Sequence, residues 1–278
     1  MSMPSPKDLF HATVAVILLL TAGAGQVPTA SPSAEHGSKV WIGHYAEYEE
    51  FLRNAMIDRT VDYPAPAQST PILWATTRVF FKSGGLAASA SLKAHATKSE
   101  IAGYRLDRVL GLDMVPPTVE VRYNGKMTGL QLWVLNCRDL KKLNEQNLHA
   151  PDPVKWAYQL NRMYVFEDLA ANPVQGSPTA SCPPCPLVDP QWNLIALDHS
   201  LAFTNTVALP YAIGKDLKQI DRAFFDRIRT LDKATVQRAI GDLVNADALD
   251  ALFARRDIIV KAFEKLAEQE GANQIFTR

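Results

Sequence analysis

The sequence predicts an α+β fold of two lobes, a small β-rich N-terminal lobe and a helical C-terminal lobe. Three observations predict it. Two extended stretches, Arg78 to Lys82 and Leu86 to Lys93, flank Ser83-Gly84-Gly85, a strong hairpin signal. Two more, Met114 to Val121 and Leu130 to Leu135, lie on either side of the turn pair Asn124-Gly125. After residue 150 the apolar residues fall on stripes of helical period. With 278 residues and 47% hydrophobic side chains, the chain is long enough for two lobes sharing a core and too apolar for a disordered one.

In chain order, residues 1–25 have a polar start containing Lys7, an apolar stretch from Ala12 to Leu20, and then Thr21-Ala22-Gly23-Ala24-Gly25. That is the order of a secretory signal, and it predicts an exported chain, periplasmic or extracellular. Left uncleaved, the same segment is a membrane anchor, short for a span. Residues 26–40, rich in Pro, Ser and Ala, read as a flexible linker. The N-lobe occupies 41–135. Tyr45 to Met56 has helical spacing and gives a short helix ending before Tyr63-Pro64. In the second arm of the hairpin Leu86, Ala88, Ala90 and Leu92 alternate onto one face, which turns Lys93 to the other. Ala102, Leu106, Val109 and Leu110 predict a helix from Glu100 to Leu110, stopped by Gly111 in the left-handed cap position. The N-lobe is thus a five-stranded type of sheet with one helix laid on it.

The C-lobe occupies 136–278. Trp156, Leu160, Met163 and Tyr164 mark a helix running towards Ala171, and a proline-laden loop, Pro173 to Pro190, separates it from a strand at Leu194 to Leu197. Phe224, Ile228 and Leu231 mark another helix, as do Val236, Ile240 and Leu243. The longest follows Asn245, a good N-cap residue, with Leu252, Ile259, Phe263 and Leu266 on one face and Gly271 at its end.

Charge and motif content narrow the function. The 29 basic and 29 acidic side chains cancel, so no whole-molecule field draws the chain to nucleic acid. No Gly-x-Ser-x-Gly elbow is present, Gly84-Gly85 sits in a hairpin rather than a strand-to-helix turn, and the six histidines are scattered. Cys182-Pro183-Pro184-Cys185 has C-x-x-C spacing, but the prolines oppose the helix that a redox site needs; a local disulfide or two inert thiols is the reading.

Asp198 ends the apolar run Leu194-Ile195-Ala196-Leu197. A carboxylate at the tip of a buried strand is where a phosphate-bound Mg²⁺ is commonly caught. Upstream, Lys93 and Glu100 have the layout of a phosphate clamp; Lys82, the rival cation, leaves the hairpin turn between itself and Glu100. A β-rich lobe carrying Lys93 and a helix with Glu100, a connecting strand, and a helical lobe carrying Asp198 form the part list of a protein-kinase-like fold. A nucleoside triphosphate needs a cation on its phosphates, a carboxylate to aim that cation, a hinge for the base and a carboxylate for the metal.

Several segments, in order, resemble bacterial proteins of the atypical kinase superfamily that joins HipA, phosphatidylinositol 3- and 4-kinases and the secretory-pathway kinases. They are Tyr48-Glu49-Glu50-Phe51-Leu52, Ala90-Ser91-Leu92-Lys93, Glu100 to Arg108, Leu110 to Val119, Gly129 to Val134, Leu197 to Phe203, and Ala254 to Val260. The resemblance implies that Lys93 contacts phosphates and that Glu100 pairs with Lys93. It also implies that Gln131, Leu132, Trp133 and Val134 border the adenine pocket and that Asp198 binds the metal, with ATP and Mg²⁺ as cofactors. One departure stands out. The group usually carries an Asp-Arg and a later metal-binding Asn after Phe-Asp-x-Leu-x-x-Asn; here Phe166-Glu167-Asp168-Leu169-Ala170-Ala171-Asn172 is followed by Pro173-Val174-Gln175, and no Asn recurs before Asn193.

Three functions are consistent with this. The leading one is an exported, pseudokinase-like module that binds a nucleotide or a protein partner. The second is an active phosphotransferase in which Asp168, Glu167 or Asp189 replaces the lost base. The third is a structural domain that has lost nucleotide binding as well.

Overall fold

The computed structural model describes residues 39–63, 76–173, 186–211, 213–214 and 217–277. The signal-like segment, the cysteine pair Cys182 and Cys185, and the departure at Val174-Gln175 lie outside the described residues. Five strands form one antiparallel sheet in the order β1-β2-β3-β5-β4. They are β1 (Ile57–Tyr63), β2 (Thr76–Phe81), β3 (Ser89–Lys93), β4 (Thr118–Tyr123) and β5 (Lys126–Leu132). The β4–β5 turn is the expected one: Asn124 and Gly125 have φ of 48° and 77°, the pair of positive values that a two-residue hairpin requires. The β2–β3 connection is longer than the sequence suggested. Leu86 and Ala88 precede the strand and are exposed, and only Ala90 and Leu92 keep the buried alternation.

The two sheet faces differ in chemistry. On one, Val79, Phe81, Ala90, Leu92, Val119, Leu130 and Leu132 pack with Trp41 and with Tyr48 and Leu52 of α1 (Tyr45–Asn54). On the other, the register aligns Arg78 with Ser91, Ser91 with Gln131, Gln131 with Thr118, and Lys93 with Gly129, so these polar residues share a face. Helix α2 (Thr97–Leu110) contacts β4 and β5 and also the helical lobe, and ends at Gly111, whose φ of 60° is the left-handed cap the sequence predicts.

The helical lobe contains α3 (Leu140–Glu145), α4 (Pro153–Ala170), α5 (Arg222–Thr230), α6 (Lys233–Ile240), α7 (Ala246–Glu270) and α8 (Ala272–Ile275). Asp152, Asp221, Asp232 and Asn245 cap α4 to α7 through side chains that accept first-turn N–H groups, each worth about 1 kcal/mol. Leu252, Ile259 and Phe263 line the buried face of α7 together with Arg255, an arginine inside the apolar stripe. The predicted strand at Leu194 to Leu197 shortens to β8 (Leu194–Ile195), which joins β6 (Arg138–Asp139) and β7 (Leu187–Val188) in a small sheet. A parallel pair, β9 (Ile220–Asp221) with β10 (Phe276–Thr277), ties the end of the chain back. Among the described residues no helix is long and apolar enough to cross a membrane.

Candidate functional site

Lys93 is the last residue of β3, opposite Gly129. A Cβ on Gly129 would lie 3.0 Å from the Lys93 Cβ and 3.7 Å from the Thr97 Cα, so a glycine lets the first turn of α2 come down beside the lysine. Thr97 pins that turn: its hydroxyl donates to the Lys93 carbonyl at 2.9 Å and accepts from the Gly129 N–H at 3.0 Å. One turn further on, Glu100 Oε1 stands 3.1 Å from Lys93 Nζ, with side-chain exposures of 3% and 14%. A buried pair of this kind costs desolvation, which further hydrogen bonds must offset.

Glu100 provides one. Its Oε2 accepts the backbone N–H of His199 at 3.2 Å, which joins α2 to the residue after Asp198. Asp198 is itself held in the left-handed region, φ 61°, an uncommon conformation for a residue with a side chain. Asn172, fully buried after α4, donates its amide to the Asp198 carbonyl at 3.1 Å, and Asp198 Oδ1 accepts the Ser200 N–H at 3.1 Å. Burial first, and the Glu100 charge second, hold the Asp198 carboxyl above its ordinary pKa, against the pull of Lys93 and the Ser200 hydrogen bonds. Lys93, Glu100 and Asp198, separate in sequence, therefore form one electrostatic cluster.

His199 backs the cluster from inside. It is fully buried, edge-on to Phe166, with Nε2 3.6 Å from Glu167 Oε1. Burial opposes the charged imidazole, but Glu167, Glu100 and Asp198 together hold its pKa above the usual value. The ring lies against α2 at Gly103, where a Cβ would come within 2.5 Å of the His199 Cγ. This is a packed histidine, not a base open to a substrate.

Of the residues placed around a base by sequence, Gln131 lies on the Lys93 face, fully buried, its amide donating to the Thr118 hydroxyl at 2.9 Å. Trp133 is covered by the Arg78 guanidinium, 4.2 Å from its ring centroid, which the Ser89 hydroxyl fixes through bonds of 2.8 and 3.0 Å. Leu132 and Val134 pack with the core on the other side, so their side chains belong to the lobe's interior rather than to the cleft face. No local sequence signal marks the Arg78 cover.

The stretch after Asp198 is tied down as well. Phe203 N–H donates to the Ala170 carbonyl and Tyr211 N–H to Asp168 Oδ1, both at 2.7 Å. The Arg255 guanidinium donates to the Leu169 carbonyl at 2.9 and 3.1 Å, to Thr204 at 3.3 Å, and to Thr206.

No family model and no curated protein matches the sequence. Solved structures do. The Golgi casein kinase superposes over 84% of this chain and 77% of its own with a TM-score of 0.60 at 11% identity. The chain has a protein-kinase-like fold. The Helicobacter pylori proinflammatory kinase CtkA also aligns, over 82% of this chain and 99% of its own, with a TM-score of 0.49 at 11% identity.

Lys93 ends the polar sheet face, and Glu100 and Asp198 stand beside it. A magnesium ion carried by a nucleotide's phosphates takes one or two protein carboxylates rather than a full protein cage. Asp198 fits that role, since a cation beside it relieves the burial and the Glu100 repulsion that disfavour its charge. Among the described residues no group of three or more His, Cys, Asp or Glu side chains is placed to hold a metal. The carboxylates considered as substitute bases have other work. Glu167 is buried against His199, Asp168 receives the Tyr211 N–H, and Asp189 accepts both the backbone N–H and the side-chain amide of Asn193 at 2.7 and 2.8 Å.

Proposed function

We propose that this chain is an exported kinase-fold module that binds a magnesium nucleotide, ATP by preference, without transferring its γ-phosphate efficiently. The observation that carries the reading is the cluster in which Glu100 touches Lys93 with one oxygen and the His199 N–H with the other. In it, Lys93 neutralises phosphate charge, Glu100 aims the lysine, Asp198 takes the metal, and Gln131 and Trp133 border the base. The magnesium ion, when bound, screens phosphate charge. In support, the three carboxylates weighed as substitutes for the missing Asp-Arg, Glu167, Asp168 and Asp189, are each buried with another partner. The sequence resemblance supports grouping this module with the HipA-like and secretory-pathway atypical kinases, and the signal-like order of residues 1–25 supports export.

A thermal-shift titration of the purified protein with Mg-ATP tests the reading. At a ligand concentration of a hundred times Kd the gain is about 2.7 kcal/mol, or about 5 to 10 °C for a chain of this size. Lys93→Ala is expected to abolish it. An equal shift in Lys93→Ala, or none in the wild type, overturns the nucleotide assignment. Rapid γ-phosphate transfer that Asp198→Ala abolishes overturns the degenerate one.

A further inference from the structure

Helix α2 turns a second set of side chains towards α1 and α6, and where the three helices meet they line an open surface pocket of about 330 Å³, with Arg108 and Arg238 exposed at its rim. Three guanidinium groups reach it, Arg105 and Arg108 from α2 and Arg238 from α6, over a floor made by Tyr104, Val109 and Ala239. Acidic neighbours compensate only part of this charge. Glu49 also lines the pocket, but its Oε2 is paired with Arg53 at 3.0 Å and its Oε1 accepts the Tyr104 hydroxyl at 2.8 Å. Arg105 is paired with Asp242 at 3.2 Å and donates to the Ala239 carbonyl at 3.1 Å.

Arg108 and Arg238 are different. Among the described residues neither forms an ion pair. Arg108 lies over the Tyr45 ring, its guanidinium carbon 3.3 Å from the centroid, and Arg238 donates to the Thr235 hydroxyl at 2.9 Å. A guanidinium stacked by its face keeps its N–H edge for an acceptor in its own plane. Two guanidinium groups outside any ion pair, that of Arg238 offset in part by the Asp232 charge beyond Thr235, suit one multivalent anion, and a phosphate monoester carries −1.5 to −2 at pH 7 with oxygens suited to forked arginine contacts. The floor adds an apolar surface of the kind an ester's organic group covers.

We infer that this pocket is a binding site for a small phosphate monoester, its phosphate held between Arg108 and Arg238 and its organic group against Tyr104, Val109 and Ala239. The site shares no residue with the Lys93 cluster and does not depend on the nucleotide reading. It bridges α2 to α6.

Calorimetric titration of the full chain with phenyl phosphate, at constant ionic strength and without nucleotide, tests it. Saturable one-to-one binding is expected, tighter than that of inorganic phosphate. The double variant Arg108→Gln with Arg238→Gln is expected to weaken it about a hundredfold, roughly tenfold for each charge-assisted contact. Arg238→Lys, which keeps the charge and loses the fork, should fall between, and Lys93→Ala should bind like the wild type. Absence of saturation, unchanged affinity in the double variant, or a loss confined to Lys93→Ala would each overturn the assignment. Equal affinities for phenyl phosphate and inorganic phosphate would remove the role of the floor.

Discussion

Replacing Arg255 by methionine keeps the length and apolar stem of the side chain and removes every donor. In the folded protein this guanidinium is fully buried on α7, and burial pushes its pKa down to about 10 against the opposing Asp168 charge. Its acceptors are unequal. Thr204 and Thr206 are exposed, so water can take over at their carbonyls. Leu169 is fully buried, and its carbonyl receives two of the guanidinium N–H bonds, at 2.9 and 3.1 Å. Leaving one buried carbonyl without these donors costs about 1 to 3 kcal/mol. Taking the facing cation from a buried carboxylate, Asp168, brings the total to about 3 to 5 kcal/mol. For a chain of this size the melting temperature should fall by on the order of 10 °C. Urea denaturation of the full chain measures the loss. Hydrogen exchange at the Phe203 and Tyr211 amides reports whether the stretch after Asp198 loosens with it. Arg255→Lys should lose less than Arg255→Met. A methionine variant within about 0.5 kcal/mol of the wild type, the range of ordinary surface substitutions, would refute the proposed clamp.

Other outcomes follow from the same geometry. Gly103→Ala puts a methyl 2.5 Å from the His199 Cγ; it should cost about 1 to 3 kcal/mol by overpacking and remove the Mg-ATP thermal shift, and an unchanged shift would detach α2 from the site. Burial pushes the Asp107 carboxyl up to about 7. Between the unfolded value of about 4 and that point the folded chain holds a proton the unfolded chain releases, so stability should fall as pH rises through the window. Asp107→Asn should flatten the slope, as urea midpoints at pH 5 and pH 7 would show. Lys39, which burial pushes down to about 8, should add the opposite slope above that pH, and Lys39→Met should abolish it.

Much of this architecture was legible because its signals are local. Gly111 and Asn245 carry their caps in their own chemistry, and Asn124-Gly125 dictates its turn. The edge strand β1 was not legible: Asp58, Arg59, Thr60, Val61 and Asp62 are exposed, so no apolar alternation marks them. Lys93 and Glu100 were readable as a pair because they lie seven positions apart, across one strand end and one helical turn. Asn172 on the Asp198 carbonyl and Gly103 under His199 join positions far apart in the chain, and only the fold shows them. Two residues carry a local signal of such long-range packing. Gly103 stands inside a helical pattern, where a glycine costs about 1 kcal/mol and implies a packing reason. Arg255 stands between Leu252 and Ile259 on an apolar stripe, where an arginine needs buried acceptors.

Helix α2 lies between the sheet and the helical lobe, with Arg105 fastened to the Ala239 carbonyl on α6 and to Asp242 just after it. A helix anchored on both flanks has little freedom to swing, so the Lys93–Glu100 contact is complete before any guest arrives. The entropic cost of assembling it is met during folding rather than at association. Stopped-flow traces of nucleotide capture should then be monophasic, with rates that rise linearly with concentration and no slow isomerisation behind them.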